Sequence, residues 1–565
     1  MYSVINSDFS MAKPTPMKNI ALAFSGGGFR AAAYSLGCLS YLNRIQYEGK
    51  PLLHNVRYIS STSGGSITNL SYSTFLFEGK TFDEFYTFLD QQLTGEQLLA
   101  DAIQTLDNPA FWKERPHKSR NFINAFSLVY DKMFAGKTFG VFSQSENPVH
   151  LEEICVNATE FSNGLPFRFQ SQNGDKKRSG GKIGNRYIYF TPKGKTVADQ
   201  LRLSDILACS SCFPSGFEPM LFPEDFTGPN LTKEALENAI AYEENEYTLS
   251  DYNRVDFLKN KNFEQKQFGI MDGGITDNQG IGSFLKADDR RKKADKFDLF
   301  ISCDVSSYLM DGYTLPVYKN RWYNGFSLRS IGTLFFLLAC VFPLLLVFIN
   351  QWKPWHYIVG TLSGIFSAVV IGFMVSKMIK AVRKTSETGS WNTVFKKYSN
   401  VLYRLRFDVL KHMLLSRAKS VFILANDVYL KQIRRMYYDR LFTDKKYRDK
   451  VIQNTIYDLS RTKFNPDDVS IDPLYPSQKL IATAEKARTM STTLWFDSRH
   501  QSEKVKESII ATGQFTTCYN LLQYLKKIKE MDKTPEIIEL EALLKSDFDA
   551  FNANPFFMIA ATATS

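Results

Sequence analysis

The sequence is poor in the residues that build metal centres and disulfide frameworks. It contains six histidines and seven cysteines among 565 residues. An odd, scattered set of cysteines predicts reduced thiols and excludes the disulfide framework of a small secreted protein. Cys209 and Cys212 form a Cys-x-x-Cys pair, but no second pair of ligands accompanies them. The spacing therefore does not indicate a zinc site, and we expect no metal.

Nucleotide-binding fingerprints are also missing. The glycines of residues 25–30 do not follow the Gly-x-Gly-x-x-Gly pattern, and no Gly-Lys-Ser/Thr follows them as in a Walker loop. The formal charge of +11 suits an acidic partner, either nucleic acid or an anionic membrane surface. Because no zinc-finger spacing and no basic stripe interleaved with aromatic residues occurs, we expect no nucleic acid partner.

The composition is otherwise that of a globular protein. Apolar residues make up 44% and charged residues 22% of the chain, and the length allows two or three domains. Residues 1–18 are polar, without an apolar run before a cleavage site, so we expect no signal peptide.

The first part of the chain alternates strand-like and helix-like segments. Residues 19–28 predict a buried strand that ends in a glycine turn, and residues 29–45 predict a helix. A second strand at 56–59 is followed by a second helix at 67–72. This alternation predicts an α/β fold with a mostly parallel sheet covered by helices. Further strands are predicted at 154–159, 167–169, 268–271 and 297–303.

Ser63 is the candidate nucleophile. It lies in Ser61-Thr62-Ser63-Gly64-Gly65, between the second strand and the second helix. A serine on a sharp strand-to-helix turn is typical of a nucleophile elbow, whose usual pattern is Gly-x-Ser-x-Gly. Ser61 replaces the first glycine, although small residues still flank Ser63. By itself such a stretch is more often a plain loop.

Three consecutive glycines, Gly26, Gly27 and Gly28, form the turn between the first strand and the first helix. Consecutive glycines let several backbone N–H groups point into one concavity, which suits an oxyanion or a phosphate. A merely flexible turn is the alternative interpretation.

Asp272 is the candidate base, because it ends a predicted strand and is followed by Gly273 and Gly274. A serine nucleophile needs a base, and histidine is the usual one. A Ser–His–Asp triad stays open as an alternative, but no histidine stands in a motif-like setting to support it. A Ser–Asp dyad needs only Ser63 and Asp272. The six histidines are His54, His117, His150, His356, His412 and His500.

Two uncharged runs, 330–352 and 354–376, are each 23 residues long. About 20 apolar residues cross a bilayer core, so the runs predict a transmembrane hairpin. Buried core helices are the alternative, but these runs lack a polar face. Basic residues flank both outer ends, which predicts a multi-pass membrane protein with its catalytic domain and both termini in the cytoplasm. Gly360 and Gly364 are spaced like a helix-packing pair, which would allow an oligomer. No other feature of the sequence supports one.

The remaining residues, 385–565, predict a mostly helical region. Helices are expected at 391–415, 427–462, 480–490 and 501–528, and one strand at 420–425. A strand after the hairpin indicates that the soluble domain resumes, and the region then either completes the catalytic domain or forms an interaction surface. The predicted domains are a catalytic domain at 18–315, the hairpin region at 316–384 and the C-terminal region at 385–565.

Taken in order, the Gly26–Arg30, Ser61–Gly65 and Asp272–Gly274 motifs resemble the patatin-like phospholipase family. The stretches 155–159, 166–169 and 208–217 resemble other parts of the same domain. The resemblance covers residues 19 to about 305. It implies a three-layer α/β/α hydrolase that acts on ester bonds of membrane lipids without metal or cofactor.

The resemblance also implies roles for individual residues. These are Ser63 as nucleophile, Asp272 as general base, Gly26, Gly27, Gly28 and the N–H of Gly64 as the oxyanion hole, and Arg30 as support for the substrate phosphate or oxyanion. The expected function is a membrane-anchored lipid acyl hydrolase of the phospholipase A type, with membrane phospholipid and the bilayer as partners. A catalytically silent membrane scaffold or lipid-binding protein, and an acyltransferase, are the alternatives.

Overall fold

A computed structural model describes residues 17–143, 149–171, 183–214, 216–243, 267–307, 404–466, 472–528 and 533–562, with short stretches and isolated positions between 308 and 403. The chain divides into two compact units. The first comprises Met1–Met310 together with Val428–Ser565, and the second comprises Asp311–Asp427.

Strands of the first unit form a central sheet and two small ribbons. They are β1 Ile20–Phe24, β2 Gln46–Tyr47, β3 Lys50–Pro51, β4 Val56–Thr62, β5 Glu153–Glu160, β6 Leu165–Gln170, β7 Ile188–Phe190, β8 Met220–Phe222, β9 Ile240–Tyr242, β10 Phe268–Asp272, β11 Leu299–Asp304 and β12 Val451–Thr455. The sheet has eight strands in the order β12-β11-β1-β4-β5-β10-β8, with β6 paired to β5. The five strands from β12 to β5 are parallel, while β6, β8 and β10 pair antiparallel.

Helices cover both faces of this sheet. In the first unit they are α1 Gly28–Arg44, α2 Gly64–Phe77, α3 Phe82–Gln92, α4 Gln97–Asp107, α5 Phe122–Met133, α6 Lys195–Ala198, α7 Leu203–Ser210, α8 Lys233–Ala239, α9 Gly274–Asp277 and α10 Ile281–Arg290. After the second unit, which contains α11 Phe407–Ile423, come α12 Leu430–Thr443, α13 Gln478–Thr489, α14 Ser498–Ser502, α15 Val505–Leu525, α16 Pro535–Ala553 and α17 Phe557–Thr562.

Side-chain alternation along β1 separates two hydrophobic cores. Ile20, Leu22 and Phe24 join a core shared with α1, α2 and α15. Ala21 and Ala23 point to the other face, into a core shared with α10 and α12. Successive side chains of a strand face opposite sides of the sheet, so both faces of β1 are buried between helices. The predicted α/β fold with a mostly parallel central sheet is confirmed.

Strand register brings three turns to one edge of the sheet. Phe24, the last residue of β1, is level with Ser61 of β4, so the glycine turn and Ser63 follow strands that end side by side. Thr62 pairs with Asn157 of β5, and Asp272 of β10 pairs with the next residue, Ala158. Ligand sites of open α/β sheets form at the carboxyl ends of the parallel strands.

The described C-terminal residues from Val428 onward belong to the same compact unit as the N-terminal half. The strand predicted at 420–425 is wrong, because α11 runs through Ile423 and continues as a π-helical turn, Leu424–Tyr429. A strand does follow, but it is β12, inside the stretch 427–462 that the pattern predicts as helical. Short apolar runs do not separate strand from helix by periodicity alone.

The two runs predicted to form the transmembrane hairpin, 330–352 and 354–376, lie outside the described residues apart from isolated positions. Within the part of the chain that the structure describes, no helix combines the length and apolar character needed to cross a bilayer. The hairpin stays a prediction.

Candidate active site

Ser63 lies at a strained turn between β4 and α2. Its backbone has φ 50° and ψ −124°, whereas the flanking residues belong to regular strand and helix. A positive φ in a residue other than glycine costs about 1–3 kcal/mol and is found where the surrounding structure enforces it. Thr62 and Gly64 are buried, while Ser63 is partly exposed. The turn therefore presents the Ser63 side chain, as a nucleophile elbow does.

Ser61, the residue that departs from the usual elbow pattern, is accommodated within β4. Its hydroxyl accepts hydrogen bonds from Ser66 Oγ at 3.0 Å and Asn69 Nδ2 at 2.8 Å. It donates to the carbonyl oxygen of Cys155 at 3.3 Å. Because Ser61 is in regular strand and its buried hydroxyl is fully paired, this position does not require glycine.

The glycine turn lies directly against the Ser63 turn. A Cβ placed on Gly64 would be 2.0 Å from the carbonyl oxygen of Gly28, so only glycine permits this approach. Gly27 and Gly28 have φ values of 145° and 58°, which are conformations that favour glycine. Two helices, α1 and α2, begin here, and their N-termini add positive potential at the same point.

The four glycines predicted to form the oxyanion hole differ in whether their N–H groups are already hydrogen-bonded. The Gly26 N–H donates to the carbonyl oxygen of Asn278 at 2.9 Å, so this amide already has an acceptor, and its role as an oxyanion donor stays a prediction. The N–H groups of Gly27, Gly28 and Gly64 have no acceptor among the described residues. Three amides next to the Ser63 turn are therefore free to bind an anion.

Asp272 is buried beside Ser63, with 5% of its surface exposed. Its Oδ1 accepts a hydrogen bond from the Gly274 N–H at 2.6 Å. Burial raises the pKa of Asp272 to about 7, and the hydrogen bonds from Gly274 N–H and the Ser63 side chain oppose that rise. No ion pair involves Asp272 within the described residues. A carboxylate with a pKa near neutrality, in contact with a serine, can act as a general base.

The histidines whose contacts are described are engaged away from Ser63. His54 and His150 stack with ring centroids 5.3 Å apart, and His150 also bonds Tyr72 and the carbonyl oxygen of Val56. His500 contributes to the N-terminal cap of α14 with Asp497. The Ser–His–Asp alternative gains no support from these three residues.

The Arg30 guanidinium bonds to the main chain of a segment distant in the sequence. Its Nη1 donates to the carbonyl oxygens of Met490 at 2.5 Å and Arg488 at 3.3 Å. Burial lowers the pKa of the guanidinium. Support of a substrate phosphate by Arg30 stays a prediction, since its described acceptors are main-chain carbonyls.

Ser210 supports the elbow in a way that the sequence did not predict. The Ser63 N–H donates to Ser210 Oγ at 2.9 Å, and Ser210 Oγ donates to the carbonyl oxygen of Asn157 at 2.7 Å. Asn157 Nδ2 in turn donates to the carbonyl oxygen of Ser61 at 2.9 Å. The stretch 208–217 stood out in the sequence, but nothing local showed that Ser210 holds the backbone of Ser63.

Side-chain bonds also tie the Asp272 turn to its neighbours. Thr159 Oγ1 donates to the carbonyl oxygen of Asp272 at 2.8 Å. Thr62 Oγ1 donates to the carbonyl oxygen of Asp277 at 2.8 Å. Asp272 and Ser63 are thus connected through the strands that carry them, which restricts their relative movement.

A cavity of about 350 Å³ lies beyond the two turns. Phe29, directly after the glycine turn, and Ile67, in the first turn of α2, form part of its wall. The other apolar wall residues are Leu93, Leu98, Val129, Tyr130 and Met133. Gln91, Gln97, Asp101 and Lys132 contribute polar groups. The lining is therefore mixed, with an apolar part next to the residues that follow Gly28 and Ser63.

No group of three or more metal-ligating side chains occurs in the residues for which the structure gives positions. The Cys209–Cys212 pair is buried, and burial raises the pKa of both thiols. Thiols held protonated in this way are poor metal ligands.

Comparison with known proteins agrees with this geometry. Residues 22–285 match the family model for patatin-like phospholipase, and the matched segment contains both Ser63 and Asp272. This match supports lipid acyl hydrolase activity. No curated protein matches the chain.

Among solved structures, a human GIVD cytosolic phospholipase A2 is similar, with 13% sequence identity and a TM-score of 0.29. The similarity covers 52% of this chain and 46% of that chain. The present chain thus spans about half the length of that structure.

Proposed function

We propose that this chain is a membrane-anchored lipid acyl hydrolase of the phospholipase A type, with Ser63 as nucleophile and Asp272 as general base. One observation carries the proposal: a strained serine contacts a buried carboxylate beside three amides that have no acceptor in the described part of the chain. The carboxylate has a pKa of about 7, so it is partly ionised at neutral pH and can accept a proton. The patatin-like phospholipase match supports the lipid ester as substrate.

In the first step, Asp272 accepts the hydroxyl proton as Ser63 Oγ attacks the acyl carbonyl. The amides of Gly27, Gly28 and Gly64 bind the oxyanion of the tetrahedral intermediate. Removing one such donor typically costs about 2.7–4 kcal/mol of barrier. The intermediate collapses, the leaving alcohol takes the proton from Asp272, and an acyl-serine remains.

In the second step, water attacks the acyl-serine. Asp272 accepts a proton from the water, the same amides bind the second oxyanion, and the acyl–oxygen bond breaks. Ser63 recovers its proton from Asp272, and a fatty acid leaves. One base therefore serves both steps.

The acyl chain would occupy the cavity beyond the two turns. Its volume of about 350 Å³ is within the range of small-molecule sites, about 300–1,000 Å³. Phe29 and Ile67 offer an apolar surface immediately past the glycine turn and the nucleophile. The polar groups at Gln91, Gln97 and Lys132 would face water or the lipid interface.

The test of the chemistry is fatty-acid release from phospholipid vesicles. We expect Ser63→Ala and Asp272→Asn to lose activity by about 10³-fold or more, since residues of one catalytic unit fail together. Ser502→Ala and Asp83→Asn make the same chemical changes at exposed positions and should behave as wild type. If Ser63→Ala releases fatty acid at the wild-type rate, the proposal fails.

The membrane attachment rests on the uncharged runs 330–352 and 354–376. With both runs spanning the bilayer, the active site would stay beside its phospholipid substrate on the cytoplasmic side. Carbonate extraction of membranes should leave the protein in the pellet, and proteolysis of sealed vesicles should place both termini on one side. A protein released by carbonate would refute the anchor while leaving the hydrolase proposal untouched.

A further inference from the structure

A segment more than 450 residues away in sequence covers the glycine turn. The strap, defined here as residues 488–496, begins with the last two residues of α13 and ends before α14. The Phe29 N–H donates to the carbonyl oxygen of Thr493 at 2.8 Å. A Cβ placed on Gly28 would be 2.2 Å from that same oxygen. The strap's main chain therefore lies in direct contact with Gly28, whose own N–H has no acceptor among the described residues.

Arg30 is the side chain that holds the strap at this end. Its guanidinium reaches the carbonyl oxygens of Arg488 and Met490, and Nη2 lies 3.5 Å from Thr492 Oγ1. These carbonyls belong to the C-terminal end of α13, where a cation is favoured by the helix dipole. A planar guanidinium can bond two main-chain oxygens at once, which a lysine ammonium does less well.

The far end of the strap is fixed by Phe496. Its N–H donates to the carbonyl oxygen of Gly95 at 3.1 Å, and its ring lies 5.9 Å from the ring of Phe29. Gln501 Nε2 donates to the carbonyl oxygen of Phe496 at 3.1 Å. The strap thus spans from the glycine turn to the α3–α4 connection, and it contacts Phe29 through Thr493 and Phe496.

We propose that Arg30 is a positioning residue, which holds the strap against the glycine turn and so fixes the amides of Gly27 and Gly28 for oxyanion binding. The proposal rests on the proposed hydrolase function. Arg30 contacts neither the ester nor a phosphate in this role. Substitution of Arg30 raises the free energy of the transition state, because a displaced amide still allows substrate to bind but stabilises the oxyanion less well.

This role differs from phosphate binding in a measurable way. A residue that binds phosphate affects phospholipids alone, whereas a residue that positions the oxyanion amides affects every ester. We expect Arg30→Met to lower kcat by about tenfold with KM nearly unchanged, which is less than the 10²–10³ for complete loss of a donor. The loss should be equal for a soluble p-nitrophenyl ester and for a short-chain phosphatidylcholine below its micelle concentration.

The experiment compares Arg30→Met, Arg30→Lys and Phe496→Ala on both substrates, in the full-length protein, with melting temperatures measured alongside. Arg30→Lys should recover part of kcat on both substrates, since one donor can still reach Met490. Phe496→Ala releases the strap at its other end and should reproduce the equal loss. Arg499→Met removes an exposed arginine and should leave both activities at the wild-type level.

A loss confined to the phosphatidylcholine would overturn the proposal and assign Arg30 to the substrate phosphate. A raised KM with unchanged kcat, or no loss on either substrate, would also overturn it. If Arg30→Met does not fold, the ratio of losses in Arg30→Lys and Phe496→Ala decides between the same outcomes. Ser63→Ala is assayed in parallel to distinguish failure of the Arg30 proposal from failure of the hydrolase proposal. Only if the hydrolase proposal fails does the Ser63→Ala protein keep wild-type activity.

Discussion

At the residue scale, the site contains a buried carboxylate, Asp272, whose ionised form is destabilised by its burial. Asp272 is buried with two hydrogen bonds and without a cationic partner in the described part of the chain. Burial keeps its pKa near 7, where a base is both available and strong enough to accept a serine proton. The same burial makes its ionised form unfavourable for folding, so catalysis and stability are opposed at this position.

We expect kcat/KM to rise with pH through about 7 and to flatten above it, because Asp272 must be ionised to accept a proton. A pH profile with the soluble ester measures this without changes in vesicle charge. An activity that stays constant from pH 5 to 8 would contradict the assignment of Asp272 as the base.

Asp272→Asn should stabilise the fold at alkaline pH. The folded-state pKa of Asp272 is raised, from an ordinary value of 3.8 to about 7, so ionisation lowers stability as pH rises across that window. At pH 8 the neutral amide should therefore be more stable by about 1–4 kcal/mol. The difference should shrink as pH falls toward about 4, where the folded-state carboxyl is protonated, and should vanish below the ordinary value of 3.8, where the carboxyl is protonated in both states.

Urea denaturation at pH 8 and pH 4 checks this, with Asp83→Asn as the exposed control. Equal stabilities of Asp272→Asn and wild type at pH 8 would show that the carboxylate is not destabilising when ionised.

At the scale of elements, two helices meet through glycine. A Cβ on Gly37 of α1 would lie 2.1 Å from the carbonyl oxygen of Ile510, and one on Gly513 of α15 would lie 2.3 Å from that of Tyr34. The backbones of α1 and α15 therefore touch directly. Because α1 begins at the glycine turn, this contact anchors the Gly27 and Gly28 amides to the C-terminal part of the chain.

We expect Gly513→Ala to destabilise the protein by about 1–3 kcal/mol through overpacking. In an unpacked helix the same change would stabilise by up to about 1 kcal/mol, so the sign of the effect is informative. Gly269→Ala is the control, because the nearest atoms to its added Cβ are 3.6 Å away. A Gly513→Ala protein as stable as wild type in urea would contradict the close packing of α1 on α15.

At the scale of the whole molecule, the catalytic unit is discontinuous in sequence. β12 extends the sheet beyond β11, and α15 packs on α1, although both follow the 311–427 unit. The two ends flanking that unit come together, since Lys431 Nζ donates to the carbonyl oxygen of Leu309 at 2.5 Å. A short linker between residues 310 and 428 could therefore join the two parts of the first unit without residues 311–427.

Replacing residues 311–427 by a short Gly/Ser linker should give a folded protein that hydrolyses the soluble ester but no longer sediments with membranes. The reason is that the sheet, both cores and the strap lie in the first unit, whereas the uncharged runs lie in the second. Sedimentation, melting temperature and ester hydrolysis measure the three properties separately. Continued sedimentation would contradict the anchor, and failure to fold would contradict the independence of the first unit.

By contrast, residues 1–310 alone should not fold, because they lack β12, α15 and the strap. Coexpression of residues 428–565 should restore soluble protein. A stable 1–310 fragment would show that the predicted boundary at 315 closes a complete domain.

The sequence by itself determined the α/β class, the position of the three turns and the identity of Ser63 and Asp272 as candidates. These features have local signals: apolar runs ending in glycine, small residues around one serine, and a carboxylate at a strand end. Tertiary structure alone decided that the Gly26 amide is taken by Asn278, that Ser210 holds the elbow and that Arg30 holds the strap. These outcomes depend on hydrogen bonds between residues up to 460 positions apart, and no local pattern records which acceptor a buried donor will meet.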